Sequence, residues 1–307
     1  QDTTASGNIA IGSYAMTQHT TGTRNIAIGQ TAMYDTDAGS TSLGSTDNIF
    51  IGYEAGGGTW ANAASNYNVA IGNLSMDGPL NGASNNTTIG YQCLTDLTQG
   101  DQNTALGYRS LHQVTTGGNN IGIGANVGFA MTTTANTVLI GTSAGGAINS
   151  ADADGTVAVG YTAGAGITDG RWNTVLGFNA FSAATQLDGN TLIGYNAGIQ
   201  LSGSAGATYN THVGYNAGYG QTNKGYNTSI GAEAGYANGG NTSVSVGYQA
   251  GYSFTGHDSV FVGKSAGVNA TLSYNSTVVG LYAGRYLTGG ANGATYIGAK
   301  AGQYASG

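Results

Sequence analysis

An aliphatic residue followed by glycine recurs seventeen times along the 307 residues, and nothing else in the sequence constrains the fold as tightly. The glycines are Gly12, Gly29, Gly52, Gly72, Gly90, Gly107, Gly124, Gly141, Gly160, Gly177, Gly194, Gly214, Gly231, Gly247, Gly263, Gly280 and Gly298, most often 17 residues apart and otherwise 16 to 23. A fixed short period is the signature of a solenoid, in which each unit buries its apolar surface only against its neighbours.

With the glycine as position 0, position −1 is aliphatic in every copy: Ile11, Ile28, Ile51, Ile71, Ile89, Leu106, Ile123, Ile140, Val159, Leu176, Ile193, Val213, Ile230, Val246, Val262, Val279 and Ile297. Position −3 is Ile, Val or Thr throughout, whereas −2 varies from Ala10 to Phe50, His212 and Tyr296. Period-two alternation marks a strand with two unlike faces. Read at face value, the constant face (−1 and −3) is the buried core and −2 faces outward. Position +3 is Ala in thirteen copies, which predicts a narrow interior, and +4 is Gly in eleven. Position −4 is Asn in eleven copies, placed to bond nearby backbone and to stack on its equivalents from coil to coil. Glycine at 0 predicts a backbone approach that a Cβ would block.

The expected fold is therefore all-β, a parallel β-solenoid of about seventeen coils of ~17 residues, forming one repeat domain over 1–307 with repeats from about 8 to 302. Insertions follow position +4, at Gly57–Tyr67, Asp77–Asn85, Gly146–Gly155, Ile199–Tyr209 and Arg285–Gly293. One more, Tyr34–Asp47, holds a degenerate copy at Leu43-Gly44. Two branched residues and an alanine offer little against the entropy of ordering a coil. Lateral association is expected, most simply as a homotrimer.

Composition narrows the function classes. With 56 glycines and only 7% charged residues, the chain is no ordinary globular domain, yet 40% hydrophobic content in a fixed period argues against disorder. A net charge of −7 with seven Lys+Arg provides no basic face for nucleic acid and no polybasic signal for membranes, and no apolar run is long enough to span a bilayer. The single Cys93 permits no intrachain disulfide. It stands at a +3 position and reads as a small buried residue. Abundant Asn, Thr, Ser and Gly suit an extracellular surface, and a start at Gln1 suits a processed or trimmed chain.

Segments such as NIAIGSYAM, NTALGYRSLHQVTTGGNN and NTVLGFNAF resemble the repeats of bacteriophage tail-fibre proteins and the head repeats of trimeric autotransporter adhesins, over nearly the whole chain from Asn8 to Gly302. The resemblance implies a left-handed parallel β-roll, three chains per fibre and a role in attachment to a surface. The chain carries no recognisable coiled-coil stalk, anchor barrel or self-cleaving chaperone, so virion, cell surface and free filament all stay open as its setting.

No residue set for catalysis emerges. The I-G-x-x-A-G string fits hexapeptide acyltransferases but occurs once per coil rather than three times. His19, His112, His212 and His257 stand at different repeat positions and read as exposed loop or strand residues, and Glu54 and Glu233 are far apart. Asp35-Thr36-Asp37 and Asp152-Ala153-Asp154-Gly155 do not continue as a calcium loop. No metal and no cofactor are expected. An ice-binding face is set aside because −3 is threonine in only eight copies and is read as inward.

The candidate binding residues are aromatic. Position +1 is Tyr53, Tyr91, Tyr108, Tyr161, Tyr195, Tyr215 and Tyr248, with Phe178 in an eighth copy; position +5 is Tyr219, Tyr236 and Tyr252. Stacked rows of these would either bind a cell-surface glycan or host receptor through ring faces and hydroxyls, or pack on one another or at a subunit interface. The expected function is a non-enzymatic fibre or head domain of an attachment protein on a virion or cell surface. The alternative is a structural subunit of a filament that grows end to end.

Overall fold

The computed structural model describes residues 6–36, 44–183, 185–201, 207–222, 224–237, 239–271, 274–288 and 293–305. The chain forms two compact units, Gln1–Gly155 and Thr156–Gly307. The first holds β1 (Ile9–Ile11), β2 (Ile26–Ile28), β3 (Ile49–Ile51), β4 (Val69–Ile71), β5 (Thr87–Ile89), β6 (Thr104–Leu106), β7 (Ile121–Ile123) and β8 (Val138–Ile140). The second holds β9 (Val157–Val159), β10 (Thr174–Leu176), β11 (Thr191–Ile193), β12 (Thr211–Val213), β13 (Thr228–Ile230), β14 (Val244–Val246), β15 (Val260–Val262), β16 (Thr277–Val279) and β17 (Thr295–Ile297). Within each unit every strand pairs in parallel with the next, so position −3 lies on −3 and −1 on −1 from coil to coil. The architecture is an all-β parallel solenoid with no α-helix among the described residues.

Position 0 explains itself. Gly107 has φ +126°, and a Cβ there would lie 2.6 Å from the carbonyl oxygen of Gly124 in the next coil. The other position-0 glycines with a coil after them in the same unit stack in the same way, so the column tolerates no side chain. The −4 asparagines form the expected ladder. Asn68 Nδ2 donates to Asn48 Oδ1 (3.1 Å), Asn86 Nδ2 to Asn68 Oδ1 (3.1 Å) and Asn103 Nδ2 to Asn86 Oδ1 (3.0 Å). In the second unit, Asn190 Nδ2 donates to Asn173 Oδ1 (3.2 Å) and Asn210 Nδ2 to Asn190 Oδ1 (3.1 Å). All of these asparagines are buried, so mutual bonding satisfies amides that would otherwise be costly to desolvate. The side chains at +3, Cys93 among them, are buried from Ala32 to Ala283, and the Cys93 thiol donates to Gly107 O.

The two faces of the strand are the reverse of the expected assignment. Position −2 points into the coil: Ala27, Phe50, Ala70, Thr88, Ala105, Leu139, Ala158, Val175, Leu192, His212, Ser229, Ser245, Phe261 and Val278 are all buried. Positions −1 and −3 point outward. None of Ile11, Ile28, Ile51, Ile71, Ile89, Leu106, Ile123, Ile140, Val159, Leu176, Ile193, Val213, Ile230, Val246, Val262, Val279 and Ile297 is buried within the single chain. Leu176 is 45% and Ile230 41% exposed. Alternation shows that a strand has two faces; which one is inward depends on what fills the rest of the coil. The −3 threonines likewise face outward, which removes one ground for setting aside an ice-binding face and leaves the other, their presence in only eight copies.

Part of the variability at −2 is volume compensation against +4. A Cβ on Gly56 would strike the Phe50 ring at 2.5 Å, and one on Gly145 would meet Leu139 at 2.9 Å. Gly198 faces Leu192 and Gly284 faces Val278 in the same way. In several copies with a small −2, +4 is large: Ala27 goes with Met33, Ala70 with Met76, Thr88 with Leu94 and Ala105 with Leu111, all fully buried, whereas Ala158, Ser229 and Ser245 keep glycine at +4, beside Ile167, Gln221 and Phe261 respectively. A third inward residue, seven after the glycine, closes the space: Leu97, Val114, Met131, Ile148, Ile167, Leu201 or Phe254. The filling meets the demand for crystal-like packing with interchangeable parts. Both +2 and +4 adopt left-handed backbone even without glycine, as at Arg109 (φ 52°) and Leu111 (φ 50°). Their N–H groups are held by the adjacent coil, Arg109 N on Tyr91 O at 2.9 Å and Leu111 N on Val127 O at 2.9 Å.

Insertions contribute to the core. Trp60 and Leu80 reach inward from the first two and are fully buried, and the Trp60 indole N–H donates to Gly56 O at 3.1 Å. The insertion at Gly146–Gly155 folds into a 3-10 turn at Ala151–Ala153 capped by the Ser150 hydroxyl. Leu43 of the degenerate copy at Leu43-Gly44 and parts of the insertions at 34–47, 199–209 and 285–293 lie outside the described residues.

Candidate binding surfaces

Three columns of outward side chains run along each unit: −3, −1 and +1. The first two are aliphatic or threonine. The third carries the tyrosines, of which Tyr53, Tyr91, Tyr108, Tyr161, Tyr195, Tyr215 and Tyr248 are exposed, as is Phe178. Together they form one apolar strip, with the strand's aliphatics beside the aromatic row.

Parallel register turns rows into stacks. Tyr91 lies on Tyr108 at 5.7 Å between ring centroids. Tyr161, Phe178, Tyr195 and Tyr215 stack successively at 5.0, 5.4 and 5.4 Å. Tyr219, Tyr236 and Tyr252 stack at 4.8 Å, 2° and 6° from parallel, and are half-buried. Burial and neighbouring phenols raise the Tyr236 hydroxyl above its ordinary range. A ring inside such a stack has both faces covered by its neighbours, leaving only its edge and hydroxyl to solvent. Ring faces are left open where a row ends, as at Tyr91, preceded by Asn73, at Tyr108, followed by Ala125, and at Tyr215, followed by Ala232. Tyr53 and Tyr248 stand between non-aromatic neighbours at +1.

Some aromatic rows were not apparent in the sequence reading. His112 stacks on Phe129 at 5.3 Å at +5, with Arg109 Cζ 4.7 Å from the Phe129 centroid. Tyr209 stacks on Tyr226 at 5.5 Å and His257 on Tyr274 at 5.5 Å. Scoring every repeat position for aromatics, histidine included, would have revealed them.

The histidines are not uniformly exposed. His212 occupies a −2 position and is fully buried; burial pushes its pKa down to about 3. Neither ring nitrogen has a hydrogen-bond partner among the described residues. His112 is also buried and bonds through Nδ1 to Gln92 O at 3.1 Å. Burial, reinforced by the charge of Glu54, lifts the Asp77 carboxyl to about 6 against the opposing N–H groups of Gly57 and Gly58. Asp154 Oδ1 is engaged by Ala135 N at 2.7 Å as an ordinary turn acceptor, and Asp37 lies outside the described residues. No group of three metal-ligating side chains forms among the described residues. No helix among them is long and apolar enough to cross a membrane.

The class defined by this geometry is a parallel β-solenoid repeat protein with an apolar strip and stacked aromatic rows on its outside. Neither the protein-family models nor the curated proteins contain a match to the chain.

Proposed function

We propose that the chain is a non-enzymatic fibre or head domain of an extracellular surface-attachment protein, working as a homotrimer. The observation that carries this reading is the outward strip of −1 and −3 aliphatics. Its branched residues recur in all seventeen copies, with no charged residue at either position. Contiguous apolar surface on this scale marks an interaction site, since soluble monomers rarely leave such a strip in water. A strip that repeats with the coil is best covered by surfaces with the same spacing. Further copies of this chain, packed laterally in register, supply that spacing. The resemblance to tail-fibre and adhesin-head repeats favours three copies and an attachment role. Free ring faces at the ends of the tyrosine rows, and at Tyr53 and Tyr248, are suited to the apolar faces of sugars.

Light scattering coupled to size exclusion tests the assembly. A mass three times 30.5 kDa that persists on dilution is expected. A monomer at micromolar concentration refutes lateral packing. A mass that grows without limit with concentration identifies instead the end-to-end filament subunit.

A further inference from the structure

The +5 row that begins with His112 and Phe129 reaches Gly146 in the next coil and stops. A cavity of about 340 Å³ opens there, lined by Arg109, Asn126, Phe129, Ser143 and Gly146. This volume falls within the range of small-ligand sites. Phe129, whose ring stacks on His112 of the preceding coil, forms part of its lining. Gly146 leaves vacant the place where the next ring of a stack would stand.

The cation in this notch is held in place and has no ion-pair partner among the described residues. The Arg109 guanidinium lies 4.7 Å from the Phe129 centroid, and its Nη2 donates to His112 Nε2 at 3.3 Å. His112 Nδ1 in turn donates to Gln92 O, which leaves Nε2 as the acceptor. Arg109 Nε is buried without a partner. The ion pairs among the described residues are Arg24–Asp47 and Arg171–Asp188, and neither involves Arg109. A guanidinium with fixed geometry is suited to a carboxylate. An aromatic face next to an amide and a hydroxyl is suited to a sugar ring.

We propose that this notch binds one carboxylate-bearing pyranose unit of a glycan, a uronic or sialic acid. The ring stacks on Phe129 in the place of the missing +5 side chain. Its carboxylate meets Arg109, and its hydroxyls meet Asn126 and Ser143. The inference rests on the attachment reading only for its choice of ligand class. Both faces of a ring inside the tyrosine stacks are covered, whereas here one aromatic face and one unpaired cation converge.

The test is a ¹H–¹⁵N titration of the intact chain, following Arg109 Nε–H, with methyl β-glucuronide, the methyl glycoside of N-acetylneuraminic acid, and neutral methyl β-glucoside. Saturable shifts are expected for at least one acid, with the glucoside at least tenfold weaker. Arg109→Gln should abolish the preference for the acid. Gly146→Tyr, which continues the aromatic row into the notch, should block both sugars. An added Cβ at Gly146 comes closest to the Ser143 carbonyl oxygen, at 3.2 Å, and otherwise makes only ordinary contacts near 4 Å, so a shift of a few tenths of an ångström accommodates it; circular dichroism of the variant checks that the fold is kept. Equal response to acid and neutral sugar, an unchanged response in Arg109→Gln, or no response at 50-fold the usual millimolar range of monosaccharide affinities overturns the proposal. Light scattering on the same samples reads assembly separately, so a trimer without sugar binding refutes the notch and leaves the fibre reading standing.

Discussion

Replacing His212 with leucine should remove an acid weakness from the second unit. The ring lies inside β12, with Leu192 and Ser229 at the equivalent positions of the adjacent strands and Gly218 wrapped against it. Its folded-state pKa is about 3, against an ordinary 6.5. The unfolded chain therefore takes up a proton that the folded chain refuses as pH falls below 6.5. Stability is unaffected above that value, falls through the window from 6.5 towards 3, and levels off below it. At pH 5 the loss is about 1.5 pK units, or roughly 2 kcal/mol, and the limit near pH 3 is about 5 kcal/mol. Leucine matches the space and binds no proton. In a repeat structure stability is nearly a sum of neighbouring terms, so the loss should be concentrated in β11–β13. Native-state hydrogen exchange at pH 7 and pH 5 measures it. Amides of β12 in the wild type should lose about tenfold or more of their protection relative to His212→Leu. The difference between the two proteins cancels the titration of Asp77 and of the other histidines. An identical pH dependence in both, or an NMR titration placing the His212 pKa near 6.5, would refute the reasoning.

Three further outcomes are expected. Ile230→Asp places a charge on the outward strip and should leave the melting of isolated units nearly unchanged while abolishing lateral assembly, whereas Val278→Asp buries that charge and should unfold its coil; circular dichroism and light scattering separate the two. Gly107→Ala drives a Cβ to 2.6 Å from Gly124 O in a left-handed conformation and should cost at least ~1–3 kcal/mol, read as a lowered Tm. The Asp77 carboxyl, raised to about 6, disfavours the folded state when ionised, so its own contribution to stability should grow as pH falls from 6 to 4, opposite in sign to that of His212; in the His212→Leu background, Asp77→Asn should flatten that rise in a denaturant titration.

The period, the naked backbone at position 0, the stacked amides at −4 and the small residues at +3 were all legible in the sequence, because each is imposed by one local contact repeated from coil to coil. Which strand face is inward was not. The constant aliphatics suggested a core, and the variable −2 suggested solvent. Both signals have other causes: −1 and −3 form the outer face of the strand in each unit, and −2 varies in several copies against +4, as at Phe50 with Gly56 and Ala70 with Met76. Two clues were available. No charged residue occupies −2 in any copy, and Phe50, Leu139 and Leu192 are each followed by glycine at +4, whereas Ala27 and Ala70 are followed by methionine. The notch at Phe129 was not legible because it depends on residues in three successive coils. Its ingredients, a histidine, a phenylalanine and a glycine at one repeat position, look unrelated until register aligns them.

The exchange of volume between −2 and +4 has a consequence for how such a chain changes length. Where the filling balances within a single turn, as at Phe50 with Gly56 and Ala70 with Met76, the turn carries its own interior and presents to its neighbours the strand edge and position-0 glycine that every copy has. Gaining or losing a turn of that kind disturbs its neighbours least. Reach can therefore be altered by duplication or deletion without redesigning an interior, while a change at one member of a −2/+4 pair demands an answer from the other.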